Sequence, residues 1–126
     1  MPHFKTIHPV LPVRDVKAAV DYYARLGFAL RFQDDQSDPK YAGIVRDGVE
    51  LHLQWHDAGD FDGGDQAALR FVIDDVDALF AEYADKDVFH ERTAVQDTPW
   101  GTREFAFYDC DGNGLFFYRS LTPSAE

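Results

Sequence analysis

Cysteine is nearly absent from this chain. Its single representative, Cys110, excludes an intramolecular disulfide and predicts a reducing compartment. It stands between Asp109 and Asp111, whose charge disfavours a thiolate, so no thiol chemistry is expected of it. Long apolar runs are missing too, and no stretch approaches the ~18 consecutive residues that span a bilayer. The first residues, Met1-Pro2-His3-Phe4-Lys5, lack the apolar core of a secretion signal. These absences predict a cytoplasmic location. Basic residues are scarce: 12 Lys and Arg face 23 Asp and Glu, for a net charge of −11. That balance argues against nucleic acid and against anionic lipid, both of which require a basic face. It favours a cationic small molecule if the charge lines a cleft, and otherwise serves solubility. No Ser-His-Asp or Cys-His arrangement is suggested, and no glycine-rich phosphate loop joins a strand to a helix.

What is present is a core-forming composition and a repeat. Apolar residues make up 45% and aromatics 15% of the 126 residues, enough for one domain or for two small modules sharing a core. Residues 7–13 read as a strand. Asp15 is a suitable N-cap for a helix with Val16, Ala19, Val20, Tyr23 and Leu26 on one face, and Gly27 is its stop. Strands follow at 28–33, 41–46 and 49–55, the last two joined by Asp47-Gly48, a strong hairpin signal. After an acidic, glycine-rich linker over 58–65, read as a solvated connector, the order returns. A strand over 67–73 precedes a helix capped by Asp74 or Asp75, with Val76, Leu79, Phe80 and Tyr83 on one face. A weak strand over 88–92 and a hairpin, 103–108 with 115–118, close the second copy. The expected fold is α+β: a βαβββ module over 7–55, another over 67–118, and a C-terminal tail over 119–126, frayed from Thr122. A module this small buries too little surface to stand comfortably alone, so the two copies are expected to pair their sheets.

Candidate site residues follow from strand alternation. Glu50, His52 and Gln54 share one face of their strand, while Val49, Leu51, Leu53 and Trp55 share the other, which should pack on helices. The polar row then lines either solvent or a cavity, and His8 is placed to join it. Two histidines and a carboxylate make either a facial metal triad or ordinary polar lining. Phe32, Tyr41, Trp100 and Phe116 are the aromatics positioned to meet a ligand. Trp100, between a proline and a glycine in a loop, either stacks a flat ring or plugs the domain edge. Arg103 and Glu104 are expected to pair with each other or with a ligand. Asp109 to Gly114 imitates the first half of a calcium loop, but the twelfth position is Ser120 and the flanks read as strands, so a hairpin turn is expected.

The segments 9–28 (PVLPVRDVKAAVDYYARLGF), 41–51 (YAGIVRDGVEL), 77–83 (DALFAEY) and 99–117 (PWGTREFAFYDCDGNGLFF) cover about half the chain. In this order they resemble the vicinal oxygen chelate superfamily of glyoxalases, extradiol dioxygenases and bleomycin-resistance proteins, with the closest likeness to the bleomycin-binding branch. The resemblance implies a strongly curved mixed sheet around a cleft, in a homodimer. Metal-using relatives place ligands at positions matching His8, Glu50 or His52, Ala68 and Phe116, and Ala68 and Phe116 cannot ligate. The implied function is therefore metal-free sequestration of a small aromatic or cationic molecule, as in bleomycin-type antibiotic resistance, with no catalytic residue. Trp100 and Tyr41 would stack its planar part, Phe32 and Phe116 would floor the site, and Glu50, His52 and Arg103 would fix polar groups. Two positions depart from that branch: Arg31 replaces an aspartate, and an aromatic on the first strand of the second module is replaced near Arg70. The alternative is a glyoxalase-like lyase or isomerase, or a dioxygenase, holding one divalent ion on His8 with Glu50 or His52.

Overall fold

The computed structural model describes residues 1–61, 63–64 and 66–122, in two compact units, Met1–Asp62 and Gly63–Glu126. Unit 1 runs β1 (Val10–Val13), α1 (Val16–Arg25), β2 (Ala29–Gln33), β3 (Tyr41–Arg46) and β4 (Val49–Trp55). Its four-stranded sheet has the order β1-β4-β3-β2, with β1 parallel to β4 and the other pairs antiparallel. The Asp15 carboxylate accepts the Ala18 N–H at 3.0 Å and so starts α1, and Gly27, at φ +91°, lets the chain turn away after it. Asp47 and Gly48 both take positive φ, as a two-residue type I′ hairpin between twisted strands requires. Val16, Ala19 and Tyr23 of α1 are buried together with Leu11, Val13, Ala42, Ile44, Leu51 and Leu53 of the sheet. The opposite face of this sheet carries the polar row.

Unit 2 repeats the order as β5 (Ala68–Val72), α2 (Val76–Tyr83), β6 (Gln96–Asp97), β7 (Thr102–Tyr108) and β8 (Gly114–Ser120). Its sheet runs β5-β8-β7-β6, again with one parallel pair, β5 with β8. Asp75 caps α2 by accepting the Ala78 N–H at 3.0 Å. The core here is aromatic: Phe105 meets Phe80, Tyr83, Phe89, Phe107 and Phe117 with ring centroids 5.1–6.5 Å apart. In the β7–β8 turn, Asp109 Oδ1 accepts the N–H groups of Asp111 and Asn113 at 2.8 and 2.9 Å, and Asn113 Nδ2 donates to Asp109 Oδ2 at 2.9 Å. The calcium-like motif is thus a buried hairpin lock. Among the described residues no helix is long and apolar enough to cross a membrane.

Four expectations are corrected. The first strand begins at Val10 rather than residue 7, because Pro9 has no N–H to extend the ladder and residues 1–8 are exposed without regular structure. Residues 88–92 are not a strand. Val88 is buried and Phe89 stacks on Phe80 at 4.7 Å, so these apolar residues join the core as a loop, and the two-residue β6 pairs with β7 instead. The last strand continues to Ser120, shortening the tail; of that tail, residues 123–126 lie outside the described residues, as do Asp62 and Asp65 of the linker, whose residues Ala58–Asp60 form a 3-10 turn. Arg103 and Glu104 do not pair, because adjacent residues of β7 point to opposite faces. Arg103 instead bonds Asp77 through both oxygens, at 2.8 and 2.9 Å, and Asp97 at 2.8 Å.

Candidate functional site

In unit 1 the face away from α1 carries a linked chain of side chains. Cross-strand pairing sets Phe32, Gly43 and His52 in one row across β2, β3 and β4. Tyr41 Oη lies 2.8 Å from His52 Nδ1, and His52 Nε2 lies 2.7 Å from Glu50 Oε2. The tautomer that satisfies every partner has Tyr41 donating to Nδ1 and Nε2–H donating to the carboxylate. Arg31 Nη1 donates to the other oxygen of Glu50. Arg31 reaches it because the β2–β3 register slips between Leu30 and Phe32: the bulge inserts Arg31 as an extra residue and leaves Phe32 in its row. The His52 bond is the main reason the Glu50 carboxyl lies below its ordinary range; burial opposes it, and Arg31 and the charge of His8 assist.

Aromatic rings cover this network. Phe32 stacks on Tyr41 with centroids 6.3 Å apart and meets His52 edge-on at 5.3 Å, while the His8 ring lies 4.8 Å from that of His52. The Phe32 ring lies over Gly43, where an added Cβ would come within 2.2 Å of Cε2. Gly43 therefore shapes the surface by having no side chain.

His8, Glu50 and His52 bring one potential ligand atom each within 4.8 Å of one another. The arrangement does not fit a divalent ion as it stands. Both Glu50 oxygens are taken, by Arg31 and by His52, and both His52 nitrogens have partners. An ion would have to displace the Arg31 guanidinium, which already neutralises the carboxylate.

In unit 2 the face away from α2 carries Arg70 on β5, Thr102 and Glu104 on β7, and Phe116 and Tyr118 on β8. Glu104 is buried, and accepts from Arg70 Nη2 at 3.0 Å and from Thr102 Oγ1 at 2.7 Å. Burial would raise its carboxyl, but the bonds from Thr102 and Arg70, the Arg70 charge and a bond from Trp100 outweigh that and lower it. The Arg70 guanidinium sits 4.3 Å from the Tyr118 ring centre and 5.6 Å from that of Phe116. Trp100, 68% exposed, occupies the tip of the β6–β7 turn, where Gly101 takes φ +90° and Thr98 N–H donates to Thr102 O at 2.8 Å. Beside Phe116, a cleft of about 240 Å³ lies under the loop that carries His90 and Arg92.

The structure thus brings Phe32, Tyr41, Glu50, His52 and His8 together in unit 1. In unit 2 it places Phe116 and Trp100 on or beside one face and Arg103 on the other, tied to the first turn of α2. Sequence reasoning missed Gly43, the function of Glu104 as the buried partner of Arg70, and the arginine bulge. Gly43 had a signal, since it lies two residues from Tyr41 on an alternating strand; the bulge had none.

A family model described as Glyoxalase/Bleomycin resistance protein/Dioxygenase superfamily matches residues 5–117. The chain is similar to a bleomycin resistance protein of Geobacillus stearothermophilus, 27% identical over 130 residues, covering 90% of this chain and 95% of that protein. Among solved structures it resembles the bleomycin-binding protein of bleomycin-producing Streptomyces verticillus in complex with copper(II)-bleomycin: TM-score 0.78, 30% identity, 95% of this chain and 99% of that one. The bleomycin resistance determinant encoded on transposon Tn5 has the same fold, with TM-score 0.80, 21% identity, and coverage of 94% and 100%.

Proposed function

Because the chain belongs to the Glyoxalase/Bleomycin resistance protein/Dioxygenase superfamily, we propose that it protects by binding. It sequesters a bleomycin-type small molecule through the molecule's flat aromatic part, without a metal and without chemical turnover, as a cytoplasmic homodimer. One observation carries this reading. On the face of unit 1 where a metal enzyme needs free ligands, Glu50 is already closed off by Arg31 and His52, and the surface above it is a set of rings, Phe32, Tyr41 and His52, laid over a bare Gly43. Such a surface stacks flat rings, each good pair contributing about 0.5–1.5 kcal/mol beyond area burial. Trp100 and Phe116 supply the corresponding aromatic surface in unit 2. Glu50 and His52 hold Arg31 and Tyr41 in place beside that surface, whereas Arg103 holds α2 and is set aside as a ligand contact.

The test is a fluorescence titration. Bleomycin at micromolar concentration should quench tryptophan emission and saturate near about one ligand per chain. A flat titration, with Trp100→Ala equally silent, refutes drug binding. The second reading is a lyase or isomerase with a divalent ion on His8, Glu50 and His52, and the closeness of those three groups favours it. Elemental analysis separates the two: a stoichiometric ion, with chelator lowering the melting temperature, supports the enzyme.

A further inference from the structure

The cleft under residues 90–93 of unit 2 has a selective chemical character. It is lined by His90, Arg92, Thr93, Ala106, Tyr108 and Phe116, with Gly114 bare at its base. Two of its polar groups, His90 and Arg92, offer hydrogen-bond donors. His90 Nε2 accepts the Tyr108 N–H at 2.8 Å, which leaves the proton of the neutral ring on Nδ1. The Thr93 hydroxyl is committed to Ala106 O at 3.2 Å. Arg92 brings five N–H donors and no acceptor. It is also singular. The chain has eight arginines and a twofold excess of carboxylates, yet among the described residues Arg92 alone has no ion pair, hydrogen bond or ring contact. Its counterparts are engaged: Arg31 with Glu50, Arg70 with Glu104, Arg103 with Asp77 and Asp97, and Arg14 over the Phe61 ring. The walls are rings, with His90 and Tyr108 5.8 Å apart and Phe116 beside them. At about 240 Å³ the cleft is below the ~300–1,000 Å³ of sites that enclose a drug-sized molecule, so it takes a one- or two-ring group.

We infer that this cleft binds an aromatic carboxylate, or the equivalent anionic ring of a larger ligand, with the ring beside Phe116 and Tyr108 and the carboxylate on Arg92. The inference rests on the reading of this face as ligand-binding, and it adds a sign: the protein as a whole attracts cations, but this cleft selects an anion. A planar guanidinium matches a carboxylate with two parallel hydrogen bonds, whereas an ammonium-bearing ring would meet the positive charge of Arg92.

Amide chemical shifts of the full chain, titrated separately with 2-naphthoate, 2-naphthylmethylammonium and bleomycin, test it. Naphthoate should move the amides of Thr93, Ala106, Gly114 and Phe116, and the ammonium analogue should not. Arg92→Gln, an exposed loop substitution, should weaken naphthoate about tenfold. Ala106→Leu, which fills the floor, should abolish the shifts. Equal shifts from the ammonium analogue, no shifts from naphthoate, or undiminished naphthoate binding by Arg92→Gln overturns the inference. Bleomycin reports separately: if it binds while naphthoate fails, the sequestration reading survives and the anion-selective cleft does not.

Discussion

Substituting Gly43 by Ala tests whether the unit 1 surface is organised around a missing side chain. An added Cβ would stand 2.2, 2.7 and 2.8 Å from three atoms of the Phe32 ring, and ordinary contact begins near 3.4 Å. The ring must therefore retreat by more than an ångström. It can do so, since Phe32 is 41% exposed, but it then leaves its contacts with Tyr41 and His52. Two aromatic contacts at about 0.5–1.5 kcal/mol each are lost, and replacing glycine within a strand returns about 0.5–1 kcal/mol. The net cost is about 0–2.5 kcal/mol, centred on about 1, measurable as a shift in the urea midpoint with unchanged slope. The same substitution in a Phe32→Ala background removes the clash, so it should be neutral or slightly stabilising. A double-mutant cycle read by urea denaturation isolates this coupling. Equal costs of Gly43→Ala in both backgrounds refute the reasoning.

Other expectations concern the cores, the carboxylates and the cysteine. Phe105→Ala empties the centre of the aromatic core of unit 2 and should cost about 3–5 kcal/mol by denaturant unfolding. Glu50, Asp77 and Glu104 all have carboxyls lowered in the folded state from ordinary values of 4.5, 3.8 and 4.5. Groups of this kind stabilise the fold above their unfolded values and lose that contribution as pH falls through the folded ones. Stability should thus decline progressively as pH drops below 4.5, and Glu104→Gln should flatten that decline in acid titrations of the melting temperature. Partial burial, with the Asp111 and Asp109 charges, pushes the Cys110 thiol up to about 12. At pH 8 its thiolate fraction is about one in ten thousand, so folded protein should resist a thiol reagent that labels the unfolded chain rapidly.

Most of the fold was legible because local signals agreed with the global one. Asp15 and Asp75 are caps at the starts of apolar helical faces, Asp47-Gly48 is an unambiguous turn, and β3 and β4 alternate cleanly enough to fix both ends. Residues 88–92 misled because a short apolar run carries the same pattern whether it pairs as a strand or drops side chains into a core. Of the site, the Glu50–His52 face followed from period-two alternation. The Arg31 bulge did not, since a one-residue slip in register leaves no mark on the side-chain pattern. Arg103 misled for a related reason: strand alternation decides which face it takes, and only the carboxylates of Asp77, on α2, and Asp97, across the β6–β7 turn, explain why a charged side chain is held on the helix side.

The central claim, binding through aromatic surface without a metal, is tested most directly by calorimetric titration of bleomycin into chelator-treated protein shown by elemental analysis to hold no divalent ion. The account predicts a saturable isotherm in the micromolar range or tighter, weakened by Trp100→Ala and by Tyr41→Ala and unchanged when zinc or nickel is restored. Binding that appears only after metal is restored, or no heat with either preparation, contradicts it.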